Sequence, residues 1–231
     1  NGGRNSAVID DLTDVVKIIS NSSAFVALKQ DGSVVAWGDS QSGGNISDVS
    51  SSLNGSIDVK EIFSTKAAFA ALRSDGSVVT WGDNSTGGDS QSVAANLNGS
   101  NDVITIASNM SAFAAIHTDG SVTTWGFSLF GGDSSSVAAQ LNGSVNVAEI
   151  SGTGSAFAAL RKDGSVITWG NQLDGGDSST ISTLINGDIG VTSIHSTTAA
   201  FAAIRADGSV ITWGDVNNGG DSSAISSAID G

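Results

Sequence analysis

A unit of 44 residues recurs five times along this 231-residue chain, and no other sequence feature restricts the fold as strongly. The repeat carries one tryptophan and one phenylalanine at fixed positions; these are Trp37, Trp81, Trp125, Trp169 and Trp213, and Phe25, Phe69, Phe113, Phe157 and Phe201. A period of this length indicates an array in which each unit buries its apolar faces against its neighbours. We therefore treat residues 1–231 as a single repeat domain, and an array that continues in a longer protein is one interpretation of it.

Each copy contains two β-prone runs on either side of an Asp-Gly pair. In the second copy, AFAALR precedes and SVVTWG follows Asp75-Gly76. This arrangement predicts a hairpin, because glycine accepts the positive φ of a tight turn. The upstream run DVKEIF predicts a third strand, and the Gly-Gly-Asp-Ser segment predicts a short helical turn. We expect two or three strands and one short helical turn in each copy.

The strands are apolar on both faces, as the run Phe69-Ala70-Ala71-Leu72 illustrates. A half-exposed strand alternates apolar with polar residues, so these strands are expected to be covered on both sides. Sheets that stack face to face at a fixed period form a β-propeller or, as the alternative, a β-solenoid. The predicted fold class is therefore all-β, a β-propeller-like array of five repeats.

The succession Val-x-x-Ile, Ala-Phe-Ala-Ala-Leu, Asp-Gly-Ser-Val, Trp-Gly and Gly-Gly resembles the repeat of the regulator of chromosome condensation family, over nearly the whole chain. The resemblance implies a propeller, commonly of seven blades, that binds proteins across its faces; one bacterial relative is a β-lactamase inhibitor. This chain departs from the family pattern by having phenylalanine where a strand histidine is common, and Gly-Gly-Asp-Ser for Gly-Gln-Leu-Gly. The nucleotide-exchange and chromatin roles are therefore not carried over.

The composition is strongly acidic, with 23 Asp and Glu against 9 Lys and Arg and a net charge of −14. Such a surface repels phosphate, so we expect no nucleic acid partner. The sequence lacks an apolar run of ~18 residues, so we expect no membrane insertion. Abundant Asp, Asn, Ser and Gly are typical of bacterial repeat proteins that are secreted or displayed on the cell surface. The chain begins at Asn1 and its only methionine is Met110, which predicts a processed product or a piece of something longer.

Residues for catalysis are few, and we predict that the protein is not an enzyme. His117 is expected to be an exposed strand end, and His195 is expected in a loop without a Ser or Asp partner. Aspartates on Gly-rich loops, such as Asp39 and Asp133, leave calcium open as a ligand. Turn and capping roles explain most of them, so we expect no metal and no cofactor.

Function is expected where the copies differ. In the third copy Phe127, Leu129 and Phe130 are apolar on a loop that is otherwise polar, which predicts a ligand-binding patch. The alternative is that this loop packs onto its neighbour. We predict a non-catalytic module for binding, adhesion or assembly at a protein or glycan surface; the alternative is a soluble propeller inhibitor or a lectin that grips one target.

The two ends of the chain carry similar segments, GGRNSAVIDDL from Gly2 and GGDSSAISSAIDG from Gly219. A closed ring of five blades needs only one of them. The sequence therefore allows either a ring with an overlapping strap or an open arc, whose uncovered ends would favour self-association.

Overall fold

Five three-stranded antiparallel sheets make up the computed structural model, which describes residues 9–229 and residue 231. The first sheet comprises β1 (Val15–Ser20), β2 (Ala24–Lys29) and β3 (Val34–Gly38). The other four follow in chain order: β4 (Val59–Ser64), β5 (Ala68–Arg73), β6 (Val78–Gly82); β7 (Val103–Ser108), β8 (Ala112–His117), β9 (Val122–Gly126); β10 (Val147–Gly152), β11 (Ala156–Arg161), β12 (Val166–Gly170); and β13 (Val191–Ser196), β14 (Ala200–Arg205), β15 (Val210–Gly214). The all-β prediction is confirmed, with three strands in every copy.

Short helical turns connect the sheets. The 3₁₀ helices are Ile9–Asp11, Ser50–Ser52, Asn84–Thr86, Gln91–Val93, Ser128–Phe130, Ser135–Val137, Ser179–Ile181, Val216–Asn218 and Ser223–Ala228, and two wider turns span Ser40–Gly44 and Gln172–Gly176. In the part of the chain that the structure describes, no helix is long and apolar enough to cross a membrane.

The Asp-Gly pair closes each hairpin as predicted. In the second copy the Asp75 carboxylate accepts the backbone N–H of Ser77 at 3.1 Å and its hydroxyl at 2.6 Å. Gly76 has φ +74°, in the left-handed region that favours glycine. The carboxylate therefore bridges the turn while the glycine reverses the chain.

The repeated aromatic residues pack within and between copies. Phe69 lies opposite Trp81 across the hairpin, and the two rings stack with their centroids 5.4 Å apart. The Trp81 indole donates a hydrogen bond of 3.0 Å to the carbonyl of Gly43, in the preceding copy. Gly43 has φ +92°, and a Cβ there would lie 2.7 Å from the Phe69 ring. Later copies repeat the bond between Trp125 and Gly87, Trp169 and Gly131, and Trp213 and Gly175.

Four hydrophobic clusters lie between consecutive sheets, and together they form the core. The cluster between the first two sheets brings Ala24 and Leu28 against Ile62 and Phe69. Among the described residues no such cluster joins the fifth sheet to the first, and Ile18 of the first sheet is 59% exposed, whereas its counterpart Ile62 is 4% exposed. The sheets therefore form an open arc. The strap expected from Gly2 and Gly3 lies outside the described residues.

Two predictions about the histidines are wrong. His117 is 2% exposed, because its ring is enclosed between the third sheet and the preceding connection, where it contacts Asn101 and Thr123. His195 belongs to β13 and not to a loop, since it pairs with Ala202 in the sheet.

Candidate binding surface

The loop that follows each Trp-Gly begins with a residue that stabilises the turn in four copies. The side chains of Asp39, Asn171 and Asp215 each accept a backbone N–H two or three residues later at 2.9 Å, and that of Asp83 accepts a hydroxyl. In the third copy this position is Phe127, whose side chain forms no capping hydrogen bond. A capping side chain contributes about 1 kcal/mol. A residue that gives up a local interaction without local compensation is a candidate for function.

The structure brings the three predicted residues together on this loop. Leu129 is 68% exposed and Phe127 is 39% exposed, whereas Phe130 is half-buried. The ring of Phe130 contacts Phe127 edge to face, with 5.1 Å between the centroids. The Asn109 amide holds the loop by donating to the Phe130 carbonyl at 2.6 Å. Phe127 and Leu129 therefore face solvent, and Phe130 packs against Phe127.

Two further apolar residues, which the sequence analysis missed, extend this surface across the next two copies. Leu173 is 77% exposed and occupies the position of Leu129 one period later; Val216, in the fifth copy, is 65% exposed. Leu129 and Leu173 line one groove of about 430 Å³. Leu173 and Val216 line the next groove, of about 530 Å³. We call Phe127, Leu129, Leu173 and Val216 the edge surface.

The edge surface is confined to the last three copies. The first two copies have Gln41 and Ser85 at the position of Leu129 and Leu173. In the fifth copy this position is Asn217, and Val216 lies one residue before it. The third copy was singled out because three apolar residues lie close together there, whereas Leu173 and Val216 are single apolar residues in otherwise polar loops.

Carboxylates flank the edge surface. Asp133 lines the first groove, and Asp177, Asp215 and Asp221 line the second. Asp133, Asp177 and Asp221 each accept a serine backbone N–H at 2.8 Å. These backbone hydrogen bonds lower the pKa of all three carboxyls, which are therefore ionised at neutral pH. The surface thus combines exposed apolar side chains with fixed negative charge.

The two histidines lie in different surroundings. His117 Nδ1 lies 2.9 Å from the Asn101 carbonyl, and Nε2 lies 2.8 Å from the Thr123 hydroxyl, so both ring nitrogens are engaged. His195 lines a cavity of about 110 Å³ together with Ser196 and Phe201. Within the described residues, no group of three or more His, Cys, Asp or Glu side chains could hold a metal ion. The expectation of no metal and no cofactor, with calcium left open, stays a prediction.

No family model and no curated protein sequence matches this chain. Solved structures do match it. Prp20p of Saccharomyces cerevisiae, also called yeast RCC1, superposes with a TM-score of 0.56 at 15% identity, over 92% of this chain and 60% of Prp20p. The fold is an RCC1-like array of propeller repeats.

Human WBSCR16 has a TM-score of 0.54 at 18% identity, over 87% of this chain and 61% of that one. The receptor kinase CR4 ectodomain of Physcomitrella patens has a TM-score of 0.52 at 15% identity, over 87% of this chain and 50% of that one. At such identities the likeness concerns the fold alone. This chain spans about 50–61% of the length of these neighbours.

Proposed function

We propose that this chain is a non-catalytic protein-binding module whose partner contacts the edge surface. The observation that carries the proposal is the break in the period: three consecutive copies expose Leu129, Leu173 and Val216 where the first two copies are polar. Exposed apolar residues that line adjoining grooves are typical of interaction sites. Structural neighbours support protein binding as the class, since Prp20p is described by its binding to Gsp1p and histones and in a complex with Kap60.

The chemistry of the edge surface defines the partner that fits it. Leu129 and Leu173 suit an apolar anchor residue in the groove between them, and Asp133, Asp177 and Asp221 suit lysine or arginine beside that anchor. The net charge of −14 also attracts a basic partner over a distance. A basic segment with spaced apolar residues therefore matches the surface.

We infer the setting from composition: a secreted or cell-surface bacterial protein, in which such a module serves adhesion or assembly. The alternative is an inhibitor of the kind known from the bacterial β-lactamase-inhibitor relative, or a lectin, that grips one target through the same loops. The aliphatic side chains of Leu173 and Val216 favour a protein target, because they offer no hydrogen bonds to sugar hydroxyls. The absence of a catalytic role is supported by the engaged ring nitrogens of His117.

Selection from a displayed library of random 16-residue peptides tests the proposal without knowledge of the natural partner. We expect the enriched peptides to combine Leu, Phe or Ile with Lys or Arg. The double variant Leu129→Ser and Leu173→Ser is expected to bind them at least about tenfold more weakly, which corresponds to the loss of about 1.4 kcal/mol.

The matched control is Ile104→Ser and Ile189→Ser, which removes two aliphatic side chains that are 55% and 39% exposed and lie outside the edge surface. It is expected to retain the affinity of the unmodified chain. Failure to enrich any peptide would contradict the proposal, and so would peptides whose affinity is the same for the double variant.

A further inference from the structure

The two ends of the arc are the two halves of one interface that the molecule already forms four times. At each internal junction the Ala-x-Ala-x-Leu side of one sheet, such as Ala68, Ala70 and Leu72, packs on the Val-Ile-Phe-Trp side of the next. The fifth sheet ends the array with the first kind of side, at Ala200, Ala202 and Ile204. The first sheet begins it with the second kind, at Val15, Ile18, Phe25 and Trp37. We call these the tail face and the head face.

Both end faces carry apolar side chains whose counterparts at the internal junctions are buried, apart from the partly buried Ile150. Ile204 on the tail face is 39% exposed, whereas its counterparts Leu28, Leu72, Ile116 and Leu160 are between 1% and 7% exposed. On the head face Ile18 is 59% exposed, whereas Ile62 and Ile106 are each 4% exposed. Phe25 is half-buried, although its four counterparts are fully buried. The uncovered sides are therefore the same sides that bind each other internally.

The tail face also carries a preformed socket for an aromatic side chain, at Gly219. Gly219 has φ +102°, close to the values at Gly43, Gly87, Gly131 and Gly175. At those four glycines a Cβ would lie 2.6–2.7 Å from the phenylalanine of the next copy, whereas at Gly219 the nearest atom lies 4.0 Å away. Within the described residues, no indole donates to the Gly219 carbonyl. The stacked pair of Phe25 and Trp37, with centroids 5.4 Å apart, is the kind of group that the socket accepts.

A line of backbone hydrogen bonds runs through all five copies and stops at the same two faces. Each link joins equivalent residues one period apart: Ser22 N–H donates to Lys66, Lys66 to Met110, Met110 to Gly154 and Gly154 to Thr198, at 2.7–3.2 Å. Among the described residues the Thr198 N–H has no acceptor and the Ser22 carbonyl has no donor. If the array continued by one copy, the residue equivalent to Ser22 would follow Thr198 in this line of hydrogen bonds. The residue equivalent to Trp37 would likewise follow Trp213.

We propose that the tail face of one copy of this chain binds the head face of a second copy. In the contact the Thr198 N–H donates to the Ser22 carbonyl of the other copy, Trp37 donates to the Gly219 carbonyl, and Ile204 is buried against Ile18. The contact is head to tail, so each copy keeps one face for a further copy, and a chain or a closed ring results. It uses neither Leu129 nor Leu173, so the double variant at these two positions leaves it intact, although the turn that carries Gly219 also carries Val216 of the edge surface.

Two charge variants separate the faces. Ile18→Asp introduces a carboxylate into the head face, and Ile204→Asp introduces one into the tail face; both side chains are exposed in the single chain, so its folding is expected to be unchanged. Size-exclusion chromatography coupled to light scattering is expected to show concentration-dependent oligomers for the unmodified chain and monomers for each variant. A mixture of the two variants is expected to form a dimer and nothing larger. The Ile18→Asp chain keeps an intact tail face and the Ile204→Asp chain keeps an intact head face, so only one contact can form.

The matched control is Ile104→Asp, which places the same charge at a position that is 55% exposed in the middle of the array, and it is expected to form oligomers as the unmodified chain does. Thermal unfolding of all variants at low concentration verifies that they are folded. The proposal is overturned if the unmodified chain is a monomer up to millimolar concentration. It is equally overturned if the mixture of variants stays monomeric, or if the Ile104→Asp chain loses its oligomers.

Discussion

At the residue scale, glycines that share the same backbone conformation differ in how closely other atoms surround them. Gly87 and Gly219 have φ +105° and +102°, so the conformational demand is equal at the two positions. A Cβ at Gly87 would lie 2.6 Å from the Phe113 ring, whereas at Gly219 it would meet no atom closer than 4.0 Å. The pair therefore separates the cost of backbone conformation from the cost of overpacking.

We expect Gly219→Ala to lower the free energy of unfolding by about 1–2 kcal/mol, the cost of a left-handed residue with a Cβ. Gly87→Ala is expected to lower it by a further ~1–3 kcal/mol, because Phe113 must move. Urea unfolding at low protein concentration, where the tail face is uncovered, measures both. Equal losses would show that the aromatic contact at Gly87 contributes nothing.

Acid stability is also decided by single residues. The hydroxyl of Ser121, with its backbone N–H, holds the pKa of Asp119 at about 2, below the ordinary 3.8. A carboxyl with a lowered folded pKa stabilises the fold above its unfolded pKa, and this contribution is lost as the pH falls through the folded pKa. Stability is therefore expected to decrease between about pH 4 and pH 2.

Asp119→Asn is expected to weaken this pH dependence, because the amide oxygen keeps the turn while the titrating group is removed. Urea midpoints at intervals from pH 5 to pH 2 measure it. Asp48→Asn removes the same charge from an exposed position outside the Asp-Gly turns and serves as the control. A slope that is unchanged in Asp119→Asn, or that changes equally in Asp48→Asn, would contradict this assignment.

At the scale of the element, the third sheet differs from the others by a coupled pair of residues. His117 occupies the strand position that is Arg73, Arg161 and Arg205 elsewhere, and Thr123 occupies the position of Val35 and Val79. The Thr123 hydroxyl and His117 Nε2 lie 2.8 Å apart, and Nδ1 is bonded to the Asn101 carbonyl. Because a carbonyl only accepts, Nδ1 carries the hydrogen, and in the neutral ring Nε2 accepts from the Thr123 hydroxyl.

This pair predicts a non-additive response to substitution. Thr123→Val and His117→Arg are each expected to lower the free energy of unfolding by about 1–3 kcal/mol, because each leaves a buried polar group without its partner. The double variant is expected to lose less than the sum, since it recreates the Arg and Val combination of the second copy. Additive losses would show that the two residues are not coupled.

The same pair shows where sequence reasoning ends at this scale. The strands and the Asp-Gly turns follow from local patterns and a fixed period, and both were predicted. The burial of His117 was not, because it depends on a side-chain hydrogen bond across the hairpin and on the preceding connection. Neither contact has a sequence signal apart from the joint change at positions 117 and 123.

At the scale of the whole molecule, the period predicts five equivalent sheets but not how their array ends. An open arc or a ring depends on the small rotation from one sheet to the next, which accumulates over the array and is not encoded in any one copy. The edge surface was predicted in part for a related reason. Phe127 and Leu129 were recognised as a cluster, whereas Leu173 and Val216 join them only once the copies lie side by side.

Restoring the period tests the central claim. That claim is that the repeated residues stabilise the fold, whereas the residues that break the repeat bind the partner. The test variant combines four substitutions, Phe127→Asp, Leu129→Ser, Leu173→Ser and Val216→Asn. Each introduces the residue that the second copy has at the equivalent position, namely Asp83, Ser85, Ser85 and Asn84. It also places at position 127 a carboxylate that can accept the hydroxyl introduced at position 129, as Asp83 accepts that of Ser85. Its free energy of unfolding is therefore expected to equal or exceed that of the unmodified chain.

The decisive measurement is isothermal titration of this four-site variant with the peptides selected on the unmodified chain, alongside urea unfolding of both proteins. We predict that binding is lost, with a dissociation constant raised at least about 100-fold, or about 2.7 kcal/mol, while stability is kept or increased. Unchanged affinity in a folded four-site variant would contradict the claim that this protein binds through the residues that break its repeat.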